Sequence, residues 1–198
     1  CTVQIDESLF QGKRKYNRGR LQCGDHQPFG QINNSNNEDS DENEIVYTNK
    51  NYGNRIVGPW VFGICWKRPD LLLERRFFIV EKRDRETLLQ IIKNEIKTGM
   101  TIYSDQWRAY STLNQHGYIH QTVNHSEFFI DPETGAHTQQ IEDLWRIIKS
   151  KYNIKKNGAS PLLDRQLQEE WWRSCQNPKT IFDNFLTDMK NTFDNNMD

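Results

Sequence analysis

Between residues 60 and 151 the apolar pattern changes period several times, and this alternation restricts the chain to few architectures. Trp60–Trp66 (WVFGICW) is an apolar run of strand length, and Arg76–Val80 (RFFIV) is a second. Arg68, Pro69 and Asp70 make a turn between them, so the two runs read as a hairpin. Gly63, inside the first run, marks a place where another backbone approaches closely. Thr87–Ile96 (TLLQIIKNEI) then carries a helical apolar stripe, with Gly99 just past its end. Met100–Ser104 (MTIYS) returns to strand character, 106–113 reads as helical, and Ile119–Val123 (IHQTV) reads as strand. Asp131–His137 reads as a loop, and Thr138–Lys151 as a helix with Thr138 as its N-cap. Thr2–Asp6 (TVQID) adds an opening strand, and Pro161–Met189 reads as largely helical. Strand, hairpin, helix, strand, helix, strand, helix predicts a mixed α/β sheet with helices packed on it.

A length of 198 residues makes one core the default, and the pattern predicts an α/β unit over 1–151 with a helical extension over 152–198. Hydrophobic residues are 35% of the chain and aromatics 12%, which implies an aromatic-rich core and a polar part outside it. Residues 31–44 (QINNSNNEDSDENE) hold nothing after Ile32 that could anchor a core, and are expected to be a disordered surface insertion. No apolar run reaches the length of a membrane span, and the polar, charged stretch from Gln4 to Arg20 excludes a signal peptide at the start. The chain opens without Met inside a strand-like segment, as an excised domain would. Cys1, Cys23, Cys65 and Cys175 form no CxxC pair and no zinc spacing, so a reduced intracellular protein is expected.

The net charge of −1 carries no global nucleic-acid signal, but the charge is uneven. Lys13, Arg14, Lys15, Arg18 and Arg20 form one basic block, Lys149, Lys151, Lys155 and Lys156 another, and acid gathers at 38–44. Asp6 closes the opening strand and Asp105 follows the Met100–Ser104 strand. Asp is depleted in strands, so each reads either as a turn residue or as a ligand. Two carboxylates at the ends of neighbouring strands could reach one ion, and hard oxygen ligands suit Mg²⁺ or Mn²⁺ rather than zinc. Glu142, early in the Thr138 helix, reads either as an acid complementing the helix dipole or as a third ligand. Lys149 is two turns further on the same face and could meet a phosphate. Three carboxylates and one cation are what two-metal phosphoryl transfer requires, while no Ser or Cys hydrolase motif or phosphate-binding glycine loop is present.

The strings IDESLF (5–10), KRKYNRGR (13–20), WVFG (60–63), SDQWRAY (104–110), VNHS (123–126) and FIDPETGAHTQQIEDLWRIIK (129–149) resemble the Merlin-type DDE transposases and their bacterial insertion-sequence relatives with an ISXO-like domain. The resemblance covers most of 2–151. It implies an RNase H-like fold and a metal triad of Asp6, Asp105 and Glu142 holding two Mg²⁺ or Mn²⁺ ions, with Lys149 as a fourth catalytic member. It implies cleavage at transposon ends and strand transfer into target DNA, performed by a homo-oligomer on double-stranded DNA, with no membrane and no small-molecule substrate. Residues expected to touch DNA are Lys13, Arg14, Lys15, Arg18, Arg20, Arg108, Asn124, His125, His137, Arg146 and Lys149. The stretch 21–56 departs from compact relatives by its length, which bears on DNA docking beside it. Other expectations for such a chain are a domesticated DNA-binding protein that no longer cuts, or a nuclease of similar fold such as a ribonuclease H or a junction resolvase. The Asn-rich insertion hints at a eukaryotic source and a nuclear protein; a bacterial source would place it with the nucleoid.

Overall fold

The computed structural model describes residues 2–13, 55–124, 127 and 129–194. The insertion at 31–44 and the expectation of disorder there lie outside the described residues. In chain order the elements are β1 (Thr2–Leu9), β2 (Gly12–Lys13), β3 (Arg55–Ile56), β4 (Trp60–Lys67), β5 (Leu73–Val80), α1 (Arg85–Glu95), β6 (Thr101–Asp105), β7 (Ile119–Val123), α2 (Gln139–Lys151), α3 (Ile154–Asn157), α4 (Leu163–Cys175) and α5 (Ile181–Asp194).

The main sheet has the order β5-β4-β1-β6-β7. β5, β4 and β1 run antiparallel, whereas β6 and β7 continue from β1 in parallel. Three antiparallel strands followed by two parallel ones is the RNase H-like arrangement that the sequence led us to expect. β2 and β3 form a separate two-stranded ribbon.

Strict alternation gives the sheet two apolar faces. Val3, Ile5, Phe62, Ile64 and Ile102 pack with Leu88 and Ile92 of α1 on one face. Val61 and Cys65 pack with Ile141, Leu144, Trp145 and Ile148 of α2 on the other, where Ile154, Leu163 and Leu167 join the same cluster. α3 and α4 thus bury their apolar residues in the same core as α2, on the far side of residue 151. α1 starts at Asp84, whose carboxylate accepts from the Thr87 N–H at 2.9 Å.

Two expectations need correction. β1 does not end at Asp6 but continues to Leu9, because Glu7 and Ser8 find partners and keep the strand in register with β4. The stretch 106–113 is not a helix. It makes one 3-10 turn, Arg108–Tyr110, and a second, Leu113–His116, begins at its end; the Asp105 carboxylate takes the Trp107 N–H ahead of the first. The stretch 161–189 is largely helical as expected, in two helices separated at 176–180.

Candidate active site

β1 turns Gln4, Asp6 and Ser8 towards α2, and each meets it one helical turn after the last. Gln4 Oε1 accepts from the backbone N–H groups of Gln140 (3.1 Å) and Ile141 (3.2 Å). Trp145 Nε1 donates to Asp6 Oδ2 at 2.8 Å. Lys149 Nζ donates to Ser8 Oγ at 2.7 Å. The steps match because two strand residues advance ~6.8 Å and four helical residues ~6 Å. α2 therefore runs alongside β1 in the same direction, stapled by three polar contacts.

Gln4 also corrects the assignment of the helix cap. Thr138 occupies the N-cap position but makes no side-chain cap bond; its hydroxyl donates to Glu142 Oε1 at 2.7 Å. The first N–H groups of α2 are satisfied by a side chain 136 and 137 positions away in sequence.

The β1–β6 register pairs Thr2 with Thr101, Val3 with Ile102 and Gln4 with Tyr103. The pairing ends there; two residues further on, Asp6 and Asp105 lie on the same face of the two strands, and the charge of Asp105 reaches Asp6. Asp105 Oδ1 accepts from the Trp107 N–H at 3.0 Å, which orients the carboxylate at the strand end. Burial, and then the charge of neighbouring Glu7, push the Asp6 carboxyl up to about 7; the Trp145 bond opposes this and the charge of Asp105 adds to it. Two aligned carboxylates, one of them reluctant to ionise without a counter-charge, are a donor pair that suits a hard divalent cation.

Glu142 is exposed in the first turn of α2, on the helix edge that also carries Lys149. Among the described residues no three His, Cys, Asp or Glu side chains form a group that could hold a metal ion, so Glu142 does not close on the aspartate pair. Lys149 is half-buried, with its ammonium over the Phe10 ring at 5.4 Å. Burial lowers its proton affinity, as does the charge of Lys155, while Asp6 raises it.

The opposite face of β1 holds a network that the sequence reading missed. Glu7 is buried, its Oε1 accepting from Arg83 Nε at 2.8 Å and its Oε2 from the Tyr110 hydroxyl. The Arg83 guanidinium lies between Trp60 (4.5 Å) and Trp107 (4.2 Å). Because the Trp107 N–H holds Asp105, this network braces the second aspartate from behind. The signal was present: Val3, Ile5 and Glu7 share one face, and an acid at an inward position requires a partner. Ser104, also buried, bonds the Asp105 carbonyl at 2.7 Å and His120 Nε2 at 2.9 Å.

Gly63 lies opposite Asp6 in the β1–β4 register. A Cβ there would stand 2.6 Å from the Trp145 indole and 3.0 Å from the Ile141 side chain. What approaches is thus a side chain rather than a backbone: the missing Cβ makes room for the ring that holds Asp6. Gly63→Val is expected to cost about 1–3 kcal/mol and to displace the indole. Thermal unfolding and tryptophan fluorescence check this; an unshifted spectrum with parental stability would rule out the role.

Of the remaining expected residues, Lys13 is exposed on β2, and Arg108 is exposed in a 3-10 turn whose carbonyl accepts from Arg85 Nη2 at 3.3 Å. Asn124 follows β7, half-buried. His137 Nδ1 lies 3.2 Å from Gln4 Nε2, and its ring is 6.0 Å from that of Tyr103. Arg146 is exposed and pairs with Asp143 at 3.1 Å. Arg14, Lys15, Arg18, Arg20 and His125 lie outside the described residues. Tyr110 is buried core, and Trp107 packs against it. Trp172 packs on Phe185 of α5.

Comparison with known proteins gives three findings. A family model described as the ISXO2-like transposase domain matches residues 67–174, a range that contains Asp105, Glu142 and Lys149 and leaves Asp6 before it. An uncharacterized transposase-like protein of Haemophilus influenzae is 28% identical over 97 residues, 48% of this chain and 76% of that protein. Among solved structures, a chain of the Mos1 strand transfer complex aligns with a TM-score of 0.36 at 11% identity, covering 91% of this chain and 48% of that one, so the chain spans about half its length.

Proposed function

The chain belongs to the ISXO2-like transposase domain family, and on that premise we propose that it is the catalytic core of a DNA transposase that cuts at transposon ends and joins them to target DNA. The observation that supports this reading is the parallel pairing of β1 with β6, the two strands that carry Asp6 and Asp105, together with the charge of Asp105 reaching the Asp6 carboxyl. In this reading the two aspartates would hold Mg²⁺ or Mn²⁺ ions, and Glu142, which does not close on the pair in this structure, would have to turn towards them to add a third carboxylate from the first turn of α2. When bound, such ions activate the attacking oxygen and stabilise the leaving one in an in-line displacement.

The chain's own groups do the rest. Trp145 fixes one Asp6 oxygen through its indole N–H, leaving the other for a ligand. The Trp107 N–H does the same for Asp105. Thr138 holds Glu142 through its hydroxyl, and Gln4 fixes the helix turn that carries it. Lys149, anchored by Ser8, offers an ammonium to a phosphate oxygen of the DNA backbone. Exposed Lys13, Arg108 and Arg146 offer further phosphate contacts, with Asn124 and His137 nearer the sheet. A homo-oligomer on the DNA belongs to the same reading.

The test is a supercoiled plasmid carrying the DNA that flanks the coding sequence. The full chain should cut it with Mg²⁺ or Mn²⁺ and not in EDTA. Asp105→Ala should lose cutting by at least about a thousandfold while still retarding DNA in a gel. Undiminished cutting by this variant would sink the mechanism.

A further inference from the structure

The last helix presents an apolar stripe that the described fold leaves uncovered. Phe182, Leu186 and Met189 recur at i, i+4 and i+7 on α5, and are 68%, 49% and 40% exposed. Phe185, 47% exposed, adjoins them on the side of α4, where its ring meets Trp172 at 6.0 Å. Phe185 and Met189 also line a groove of about 800 Å³ between α4 and α5, so stripe and groove form one continuous apolar strip. A contiguous strip of this kind on a soluble helix marks an interaction surface.

From this surface we propose that α5 pairs with α5 of a second copy of this chain, antiparallel, about a two-fold axis next to Leu186. The charges beside the stripe select this occupant and this direction. Asp183 and Lys190 are seven residues apart and lie on one flank of the stripe, both exposed. In an antiparallel helix pair, residues on the same flank face each other, and an axis between positions 186 and 187 sets Asp183 against the partner's Lys190 and Lys190 against the partner's Asp183. In a parallel pair that flank would meet the side of the stripe that carries Phe185 and Thr192, which offers Asp183 and Lys190 no counter-charge. Asp188 is committed to α4, accepting from Trp172 Nε1 at 2.8 Å. The helix thus finds charge complementarity with itself only in the antiparallel direction. A two-fold contact of this kind closes on itself, which keeps an exposed strip from propagating into fibres.

Sedimentation or light scattering of the full chain, without DNA, tests this. The parent should be dimeric. Leu186→Glu should be monomeric at concentrations where the parent is a dimer, with unchanged far-ultraviolet circular dichroism, because the residue is exposed. Asp183→Lys alone and Lys190→Asp alone should each weaken the dimer by about an order of magnitude, since two attractive pairs become two repulsive ones. Mixing these two variants should restore association, because one copy then offers two lysines to two aspartates of the other. A monomeric parent, a dimer unaffected by Leu186→Glu, or a mixture no tighter than either variant alone would each overturn the proposal.

Discussion

Asp6→Asn is expected to abolish DNA cutting and, in EDTA at pH 8, to raise the melting temperature. Folding buries the Asp6 carboxyl beside Glu7 and Asp105, and raises it to about 7 from the ordinary carboxylate range. For an acid with a raised folded-state pKa, the ionised form is destabilised by folding. That penalty is absent below the unfolded value near 4, grows as pH rises to about 7, and is constant above. A rise of this size corresponds to a penalty on the order of 2–4 kcal/mol, several degrees of melting temperature for a chain of this length. Asparagine keeps an oxygen for the Trp145 N–H and removes the charge. The variant and the parent should therefore melt together near pH 4 and separate as pH rises. Added Mg²⁺ or Mn²⁺ should lift the parent and not the variant, because a ligand stabilises by binding only the folded site. Equal melting temperatures at pH 8 in EDTA would contradict the assignment of strain to this carboxylate.

Glu170→Ala should cost the fold most among substitutions remote from the aspartates. Glu170 lies on α4 with its side chain 3% exposed. Its Oε2 accepts from Arg75 Nη2 of β5 at 2.7 Å, and its Oε1 from Lys151 Nζ at the end of α2 at 2.5 Å and the Tyr152 hydroxyl at 3.0 Å. One carboxylate thereby joins α4 to the sheet and to α2. Removing it leaves the Arg75 guanidinium, whose Nε has no hydrogen-bond partner among the described residues, without its counter-charge. Breaking a buried pair from one side costs roughly 3–5 kcal/mol. Lys151 is 42% exposed and can turn to water, so the lower end applies, a fall in melting temperature of roughly 6–12 °C. Burial raises the Glu170 carboxyl, but Lys151, Arg75 and Tyr152 outweigh it and the net direction is down. The stabilisation is therefore present above the ordinary glutamate range and is lost as pH falls through the lowered value. Parent and variant should converge in acid. A Glu170→Ala protein as stable as its parent at pH 7 would contradict this account.

Much of the sheet was legible because its strands carry their burial in their spelling. IHQTV became β7 with its expected bounds, and WVFGICW followed by RFFIV became the β4–β5 hairpin. The failures share a cause. Asp6 looked like a strand end because an acid inside a strand is costly, yet Trp145 from a helix far along the chain offsets that cost. Thr138 looked like a cap because caps are local, yet Gln4 reached the helix first. Residues 106–113 looked helical because periodicity does not register a carboxylate diverting the first N–H.

Local pattern thus determined the strands, the helices and the residue types able to hold a hard cation, because period, polarity and turn chemistry act over a few residues. The partners were decided only in three dimensions. Asp6 became a neighbour of Asp105 through the parallel register of β1 and β6, and Gly63 found its purpose in the Trp145 ring that packs against it. Glu7 became a brace for Asp105 rather than a surface acid. Each of these contacts joins residues distant in sequence, and a long-range partner is set by how the sheet pairs and how the helices settle on it, which no local window encodes.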